Sequence, residues 1–393
     1  MTLLRASGLS FDSLIASILT ISIVQAFFVN ILNIDAYLTP IFLLFLASHA
    51  ILSKAKIRRD AALPLAIASW ILLYTVLIFF TNTRSLLQEF IYQLFSAITF
   101  FVFIIYFSTL GSASSEPQNF KKTKYVLVLY LSASLIIHFT MWDQIASIFY
   151  KRENDFGGLL MDGKIHRMYG LLFNPLASAF SALILSIILY LLDCRDKTIY
   201  FVLLVIIALA LSRSTLLLAL IWLTYVLMLK YKKLYLLLAL PLISLIASYL
   251  SSDINLWLTT HIIADDSGSI AEHIRNYQIG LNHAFAIYGE GFRDARELGA
   301  WNIRLESMPL QYALTGGIGL FIPISFLLII CTKRLFNRYG ILKAASCLPL
   351  LPIIVSFPLH TFNLPIIFLS ILMSLWAVKH ETPKSAEKWK KAF

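Results

Sequence analysis

The stretch KAKIRRDAALPLAIASWILLYTVLIFF, residues 54–80, decides the class of fold. Lys54, Lys56, Arg58 and Arg59 stand just ahead of residues 61–80, in which no charge occurs. About 20 apolar residues wound as a helix match the hydrocarbon thickness of a bilayer, and basic residues gather at the cytoplasmic end of such a span. Followed outward in both directions, the pattern gives further candidate spans at about 12–34, 36–53, 88–110, 124–141, 169–192 and 198–211. It continues at about 214–230, 233–250, 309–331, 341–358 and 362–378, with a tight hairpin from Pro358 to Pro365 before the last. Composition agrees: 59% of the 393 residues are hydrophobic, 13% are charged, and the mean hydropathy is +0.80. Soluble domains carry about 25% charged residues. The expected fold class is therefore all-α, a polytopic membrane helix bundle of about twelve transmembrane helices. It forms a single transmembrane domain over 1–393, with a large periplasmic loop at 251–308 that contains an amphipathic helix. The first run, about Ile15 to Leu32, is too long for a signal-peptide core and reads as a retained span.

A formal net charge of +11 would suit nucleic acid if the basic residues shared one polar surface. They lie instead in short blocks between apolar runs, which excludes that class. By alternation, the blocks at Arg5, 54–59, 121–124, 195–197, 230–233, 333–343 and 379–391 share one side. They hold about two-thirds of the 32 basic residues. The bias places both termini in the cytoplasm. Cys194, Cys331 and Cys347 fall in no outward-facing segment, so no disulfide framework is expected, and they read as small apolar filler.

The opposite side carries two substantial segments, about 142–168 and about 251–308. The second exceeds ordinary connections several-fold, and loops of that length are functional or disordered. Trp257, Phe285, Phe292 and Trp301 give it the apolar content of a folded segment. Within it Ser269-Ile-Ala-Glu272 fits a capping box at a helix start. Ile270, Ile274, Tyr277, Leu281, Phe285 and Tyr288 then recur every three or four residues as one apolar stripe, and Gly289 and Gly291 end the helix. Arg275, Gln278 and Asn282 fall together on one flank. The helix is expected to lie on the membrane face with that flank turned toward the bundle.

Arginine dominates the cations of this side: Arg167, Arg213, Arg275, Arg293, Arg296 and Arg304, with Lys151 and Lys164. Guanidinium forks bind phosphate oxygens at two points and stay charged when partly desolvated. Arg213, in Leu211-Ser-Arg-Ser214, sits in so short a connection that its side chain belongs at the membrane surface or inside the bundle; it reads as a phosphate ligand or a snorkelling helix end. Arg293, Arg296 and Arg304 read equally as solvated loop charges. Asn174, beside Pro175 at the start of a span, can cap the helix or bind a ligand. Among the carboxylates Glu306 is special by position, immediately before the 309–331 span, where it can act as a general base or pair with Arg304. Asp265-Asp266, His273 and His283 lack metal-ligand spacing, so no metal is expected.

Four motifs stand in order around the large loop: Arg167-Met-Tyr-Gly-Leu-Leu-Phe-Asn-Pro175, Leu211-Ser-Arg-Ser-Thr215, Ile274-Arg-Asn-Tyr-Gln-Ile-Gly-Leu281 leading to Gly289-Glu-Gly-Phe292, and Glu306-Ser-Met-Pro-Leu310 followed by Gly316-Gly-Ile-Gly-Leu320. In order and placement the chain resembles bacterial O-antigen polymerases of the Wzy type, relatives of the O-antigen ligases. The resemblance implies a metal-independent glycosyltransferase of the bacterial inner membrane, without cofactor, that joins oligosaccharide repeat units carried on undecaprenyl diphosphate at the periplasmic face. It implies that Arg213 and Arg275 bind the diphosphate, that Arg167, Asn174 and Tyr277 complete the substrate-binding set, and that Glu306 takes the proton from the attacking hydroxyl. A chain-length-regulating co-polymerase is the expected protein partner, beside the lipid-linked oligosaccharide and the bilayer. The ligases usually carry a His where Glu306-Ser307 stands, which favours polymerase. A ligase and a lipid-linked oligosaccharide flippase are the alternatives.

Overall fold

The computed structural model describes residues 10–30, 38–52, 59–82, 86–109, 120–140, 174–210, 213–231, 267–300, 307–350 and 363–377, with 32, 160–161, 165–166, 168, 172, 305 and 354 between them. They form α1 (Phe11–Asn30), α2 (Leu38–Leu52), α3 (Ala62–Thr81), α4 (Leu87–Thr109), α5 (Lys121–Thr140), α6 (Pro175–Leu191), α7 (Lys197–Leu209) and α8 (Arg213–Tyr231). Then come α9 (Ser267–Ala284), α10 (Met308–Gly316), α11 (Ile318–Ala345) and α12 (Asn363–Ala377). Two 3-10 turns, Arg59–Ala61 and Ala295–Leu298, and a two-residue antiparallel pair, β1 (Leu160–Met161) on β2 (Ile165–His166), complete the described elements. Apart from that pair the described residues form a helical architecture.

Among the described residues five helical stretches are long and apolar enough to cross a membrane: Phe11–Val29, Arg59–Thr81, Leu87–Ser108, Lys121–Thr140 and Ile318–Asn337. α2, α6, α7, α8 and α12 are apolar but shorter. The apolar pattern sorts the helices by position. α6 and α12 are apolar on all sides, and they are enclosed: Phe180, Leu183, Ile184, Ile187 and Ile188 of the first and Phe368, Leu369, Ile371 and Leu375 of the second are buried. α12 packs on α4, α6 and α11. Around them, α3 turns Leu63, Trp70, Leu73, Leu77 and Phe80 outward, α5 turns out Tyr125, Leu129, Ile136 and Phe139, and α11 turns out Ile322, Phe326 and Ile329. Exposed apolar rows at helical spacing suit a lipid solvent, where water would penalise them.

The ends of the bundle are tied by polar contacts. At one end Asp12 accepts hydrogen bonds from the Lys122 and Thr123 amides at 3.0 and 2.8 Å, capping α5 from α1. Lys124 pairs with Asp196 at 3.0 Å, and Lys343 with Asp193 at 2.7 Å. The Arg334 guanidinium donates to the carbonyls of Asp60 and Ala377. The basic blocks around 121–124, 195–197 and 333–343 therefore meet at the end where α3 begins. α3 finishes at the opposite end, where Asn82 Nδ2 donates to the Glu290 carbonyl at 3.1 Å and the Leu86 amide to the Phe292 carbonyl at 2.8 Å.

Two helices depart from the sequence expectation. Residues 309–331 were expected as one span, but the chain breaks at Gly317 (φ 55, ψ −144) into the buried α10 and the long α11. A Cβ on Gly317 would stand 2.3 Å from the Ala286 carbonyl oxygen, so the close approach of the loop requires glycine there. α9 begins at Ser267, before the expected capping box, and ends at Ala284, ahead of Gly289. Further on, α11 continues through residues 333–339 of the expected connection, and its helical backbone is interrupted at Gly340 (φ 75, ψ 163), where the expected 341–358 span begins. The 233–250 span, residues 251–266 of the large loop and most of 142–168 lie outside the described residues, as does much of 341–358.

Candidate functional site

The opposite end is organised by a clasp between the loop after α9 and the break between α10 and α11. The Glu290 and Gly291 amides donate to the carbonyls of Leu314 and Thr315 at 2.7 and 3.0 Å, and the Ile318 amide donates to Ala286 at 2.8 Å. The first two bonds satisfy carbonyls that the end of α10 leaves open, and the third satisfies an amide that the start of α11 leaves open. Gly289 lies so close that a Cβ there would be 2.3 Å from the Thr315 carbonyl oxygen. Phe292, fully buried, packs edge-on against the stacked pair Phe79 and Phe90, with ring contacts at 6.3 and 5.4 Å. The motifs Gly289-Glu-Gly-Phe292 and Gly316-Gly317 thus meet in space; Gly289 and Gly317 serve backbone-to-backbone packing, while Gly291 admits the Asn82 side chain and Gly316 those of Leu320 and Ile78.

α9 crosses α10 closely: a Cβ on Gly280 would lie 2.5 Å from Leu310 Cβ. Its bundle face is Asn276, Gly280 and Ala284, with Tyr277 and Ile279 half-buried against a small core of Ala295, Ala300, Leu305, Leu310 and Leu314. Arg275, Gln278 and Asn282, expected to turn toward the bundle, are exposed instead. The close approach of Leu310 to Gly280 sets which face of α9 meets α10, and that rotation leaves Arg275, Gln278 and Asn282 outside.

The arginines of the loop differ in their partners. Arg293 bonds Glu290 at 2.9 Å and Glu297 at 2.8 Å, and Glu290 also faces His283 at 3.4 Å. Those carboxylates raise the Arg293 pKa above its usual value. Arg296 clamps Asp294 at 2.6 Å, and the pairing holds the Asp294 carboxyl below the usual carboxylate range. Asp294 also caps the Ala295–Leu298 turn through the Arg296 amide. Arg275 is different. Its guanidinium lies over Gly299, where a Cβ would come within 2.3 Å of Nη2, and among the described residues it makes no ion pair. Among the described residues it is therefore a cation without a carboxylate partner, at the same end as the clasp.

A second group stands at the ends of α6, α7 and α8. Asn174 is the N-cap of α6, accepting from the Ala177 amide at 2.9 Å, with Pro175 at the first helical position. The Met168 amide donates to the Leu209 carbonyl at 3.0 Å, so the chain next to Arg167 is pinned four residues before Arg213. Arg213 opens α8; its side chain, Arg167 and Glu306 lie outside the described residues. Among the described residues no hydrogen bond or ion pair joins this group to the Arg275 loop, nor do three or more His, Cys, Asp or Glu residues form a metal cluster.

The sequence reading passed over one feature. Glu89, Gln93, Ser96 and Thr99 are buried and share one face of α4. Gln93 Nε2 donates to Thr315 Oγ1 at 2.7 Å, tying that face to α10, and Gln311 Oε1 accepts from the Leu305 amide at 2.8 Å. Gln93 Oε1 and Gln311 Nε2 are buried without a partner among the described residues. The signal was present as polar residues at i, i+4, i+7 and i+10 of an otherwise apolar span. No family model matches the chain, and no curated protein matches it.

Proposed function

We propose that this chain is a membrane-embedded glycosyltransferase of the polymerase kind, joining oligosaccharide repeat units carried on undecaprenyl diphosphate. About twelve spans place both termini in the cytoplasm of a bacterial cell and the 251–308 loop in the periplasm, and a chain-length-regulating co-polymerase is the protein partner. The observation that carries the reading is the contrast among loop arginines: Arg293 and Arg296 are neutralised by Glu290, Glu297 and Asp294, while Arg275, beside Gly299, has no carboxylate partner among the described residues. An open guanidinium at a membrane surface is the group that holds a lipid-linked diphosphate and stabilises its charge as it leaves. Arg213 supplies a second fork, Arg167, Asn174 and Tyr277 support binding, and Glu306 is the base that activates the attacking sugar hydroxyl. Glu290 and Asp294 are poorer bases, because each is already held by arginine.

The test uses purified protein in vesicles with lipid-linked repeat units. Formation of a ladder of products and release of the carrier diphosphate are expected. A product seen only when a lipid-A core acceptor is supplied would assign the chain to the ligases, and transport without glycosidic bond formation would assign it to the flippases.

A further inference from the structure

α9 is not a span, yet its exposed surface is that of a membrane helix. Ile274 and Leu281 are each 52% exposed, and the turn that follows exposes Phe285, Ile287 and Tyr288 still more. At about 100° per residue, Ile274 and Leu281 lie within about 20° of each other around the helix. Arg275 and Asn282 lie about 100° and 80° from Ile274, on the exposed polar arc, while Asn276, Gly280 and Ala284 face α10 on the other flank. The helix thus has three faces: one packed on protein, one apolar and uncovered, one polar and uncovered.

Two contacts fix where the apolar face lies. The Ala286 carbonyl accepts from the amide of Ile318, the first residue of a stretch long enough to cross a membrane, so the end of α9 stands level with the start of that span. Phe285 meets Phe321 edge-on at 6.1 Å, and on α11 the row continues through the exposed Ile322, Phe326 and Ile329. The uncovered stripe of α9 is thereby continuous with the lipid-facing row of α11.

We infer that α9 is an interfacial anchor lying in the bilayer surface, with Ile274, Leu281, Phe285, Ile287 and Tyr288 among the acyl chains and Arg275 at the level of the headgroup phosphates. Such a helix gains apolar burial on one side while its polar arc stays wet. The clasp at Ala286, Glu290 and Gly291 transmits that placement to α10, so the bilayer sets the height of the loop.

Spin labels test this without any sugar donor, so the outcome is independent of the polymerase reading. With Cys194→Ser as background, since Cys331 and Cys347 are buried, single labels go on Ile274→Cys, Leu281→Cys and Asn282→Cys, with Phe326→Cys as the lipid-facing reference. In vesicles of phosphatidylethanolamine and phosphatidylglycerol, the labels at 274 and 281 are expected to match the reference, with oxygen collisions several-fold above those of a nickel chelate. The label at 282 is expected to reverse that preference. A label at 281 that favours the chelate as 282 does would place the helix in water, and one closed to both reagents would mean that protein covers the stripe. Either overturns the anchor.

Discussion

Arg275 and Arg293 stand on the same folded loop and, among the described residues, differ in what lies against them: a glycine surface in one case, two carboxylates in the other. Arg275→Ala is therefore expected to abolish the product ladder with protein level unchanged. Arg275→Lys is expected to restore part of it, because a point charge lacks the fork. Arg296→Ala, which breaks a local pair, is expected to be mild, and full ladders from Arg275→Ala would remove this residue from the site. For Glu306→Gln the expected loss of polymerisation rate is about 10²–10⁴-fold with donor binding retained, the usual contribution of a positioned base. Asp294 gives a prediction in pH. Its hydrogen bonds from Arg296 depress its folded pKa, so their stabilisation is present above the unfolded value of about 3.9 and is lost as pH falls through the folded value. Protection factors for the amides of Arg296, Gly299 and Ala300, corrected for intrinsic exchange, should hold from neutral pH to about 4 and fall below it. In Asp294→Asn that acid step should vanish.

Elements meet here through backbone as much as through side chains. The clasp works because Gly289 and Gly317 bring two chain segments closer than any Cβ allows. Gly317→Ala should cost about 1–2 kcal/mol for the left-handed backbone alone, and more for the clash with Ala286. Gly340→Ala is the control, since Gly340 has the same sign of φ and nothing within 4 Å of its absent Cβ. A larger fall in thermal midpoint for the Gly317 variant than for the Gly340 variant is expected in a purified-protein melt, and equal falls would deny the clasp any structural weight. The α4–α10 seam is weaker. Losing the buried Gln93–Thr315 bond through Gln93→Leu should change stability by about 1 kcal/mol. Glu89→Gln, one turn away, tests whether the buried polar face also serves the reaction.

For the whole molecule, the decisive measurement is topology. Reporter fusions after Lys56 and at Lys390 should read as cytoplasmic, and fusions after Ser252 and near Trp301 as periplasmic. A cytoplasmic reading within 251–308 would invert the bundle and remove the loop from the outer face. The helical class and most helix positions were legible in the sequence, because uninterrupted apolar runs and the basic blocks beside them report a local property, the solvent each segment meets. The cap at Asn174-Pro175 was legible for the same reason, since a cap is made within four residues. The break at Gly317 was not: two glycines inside an apolar run look like any tolerated pair until Ala286, thirty-one residues earlier, is brought against them. Nor was the facing of α9, where periodicity reveals a stripe without saying whether protein or lipid covers it. The same limit separates Arg275 from Arg293, because a guanidinium's freedom depends on which carboxylates the fold sets beside it. Sequence by itself determined which segments prefer lipid and which chemistry the arginines could offer; only the tertiary structure decided which faces are covered and which charges are already paired, since both depend on contacts between residues far apart along the chain.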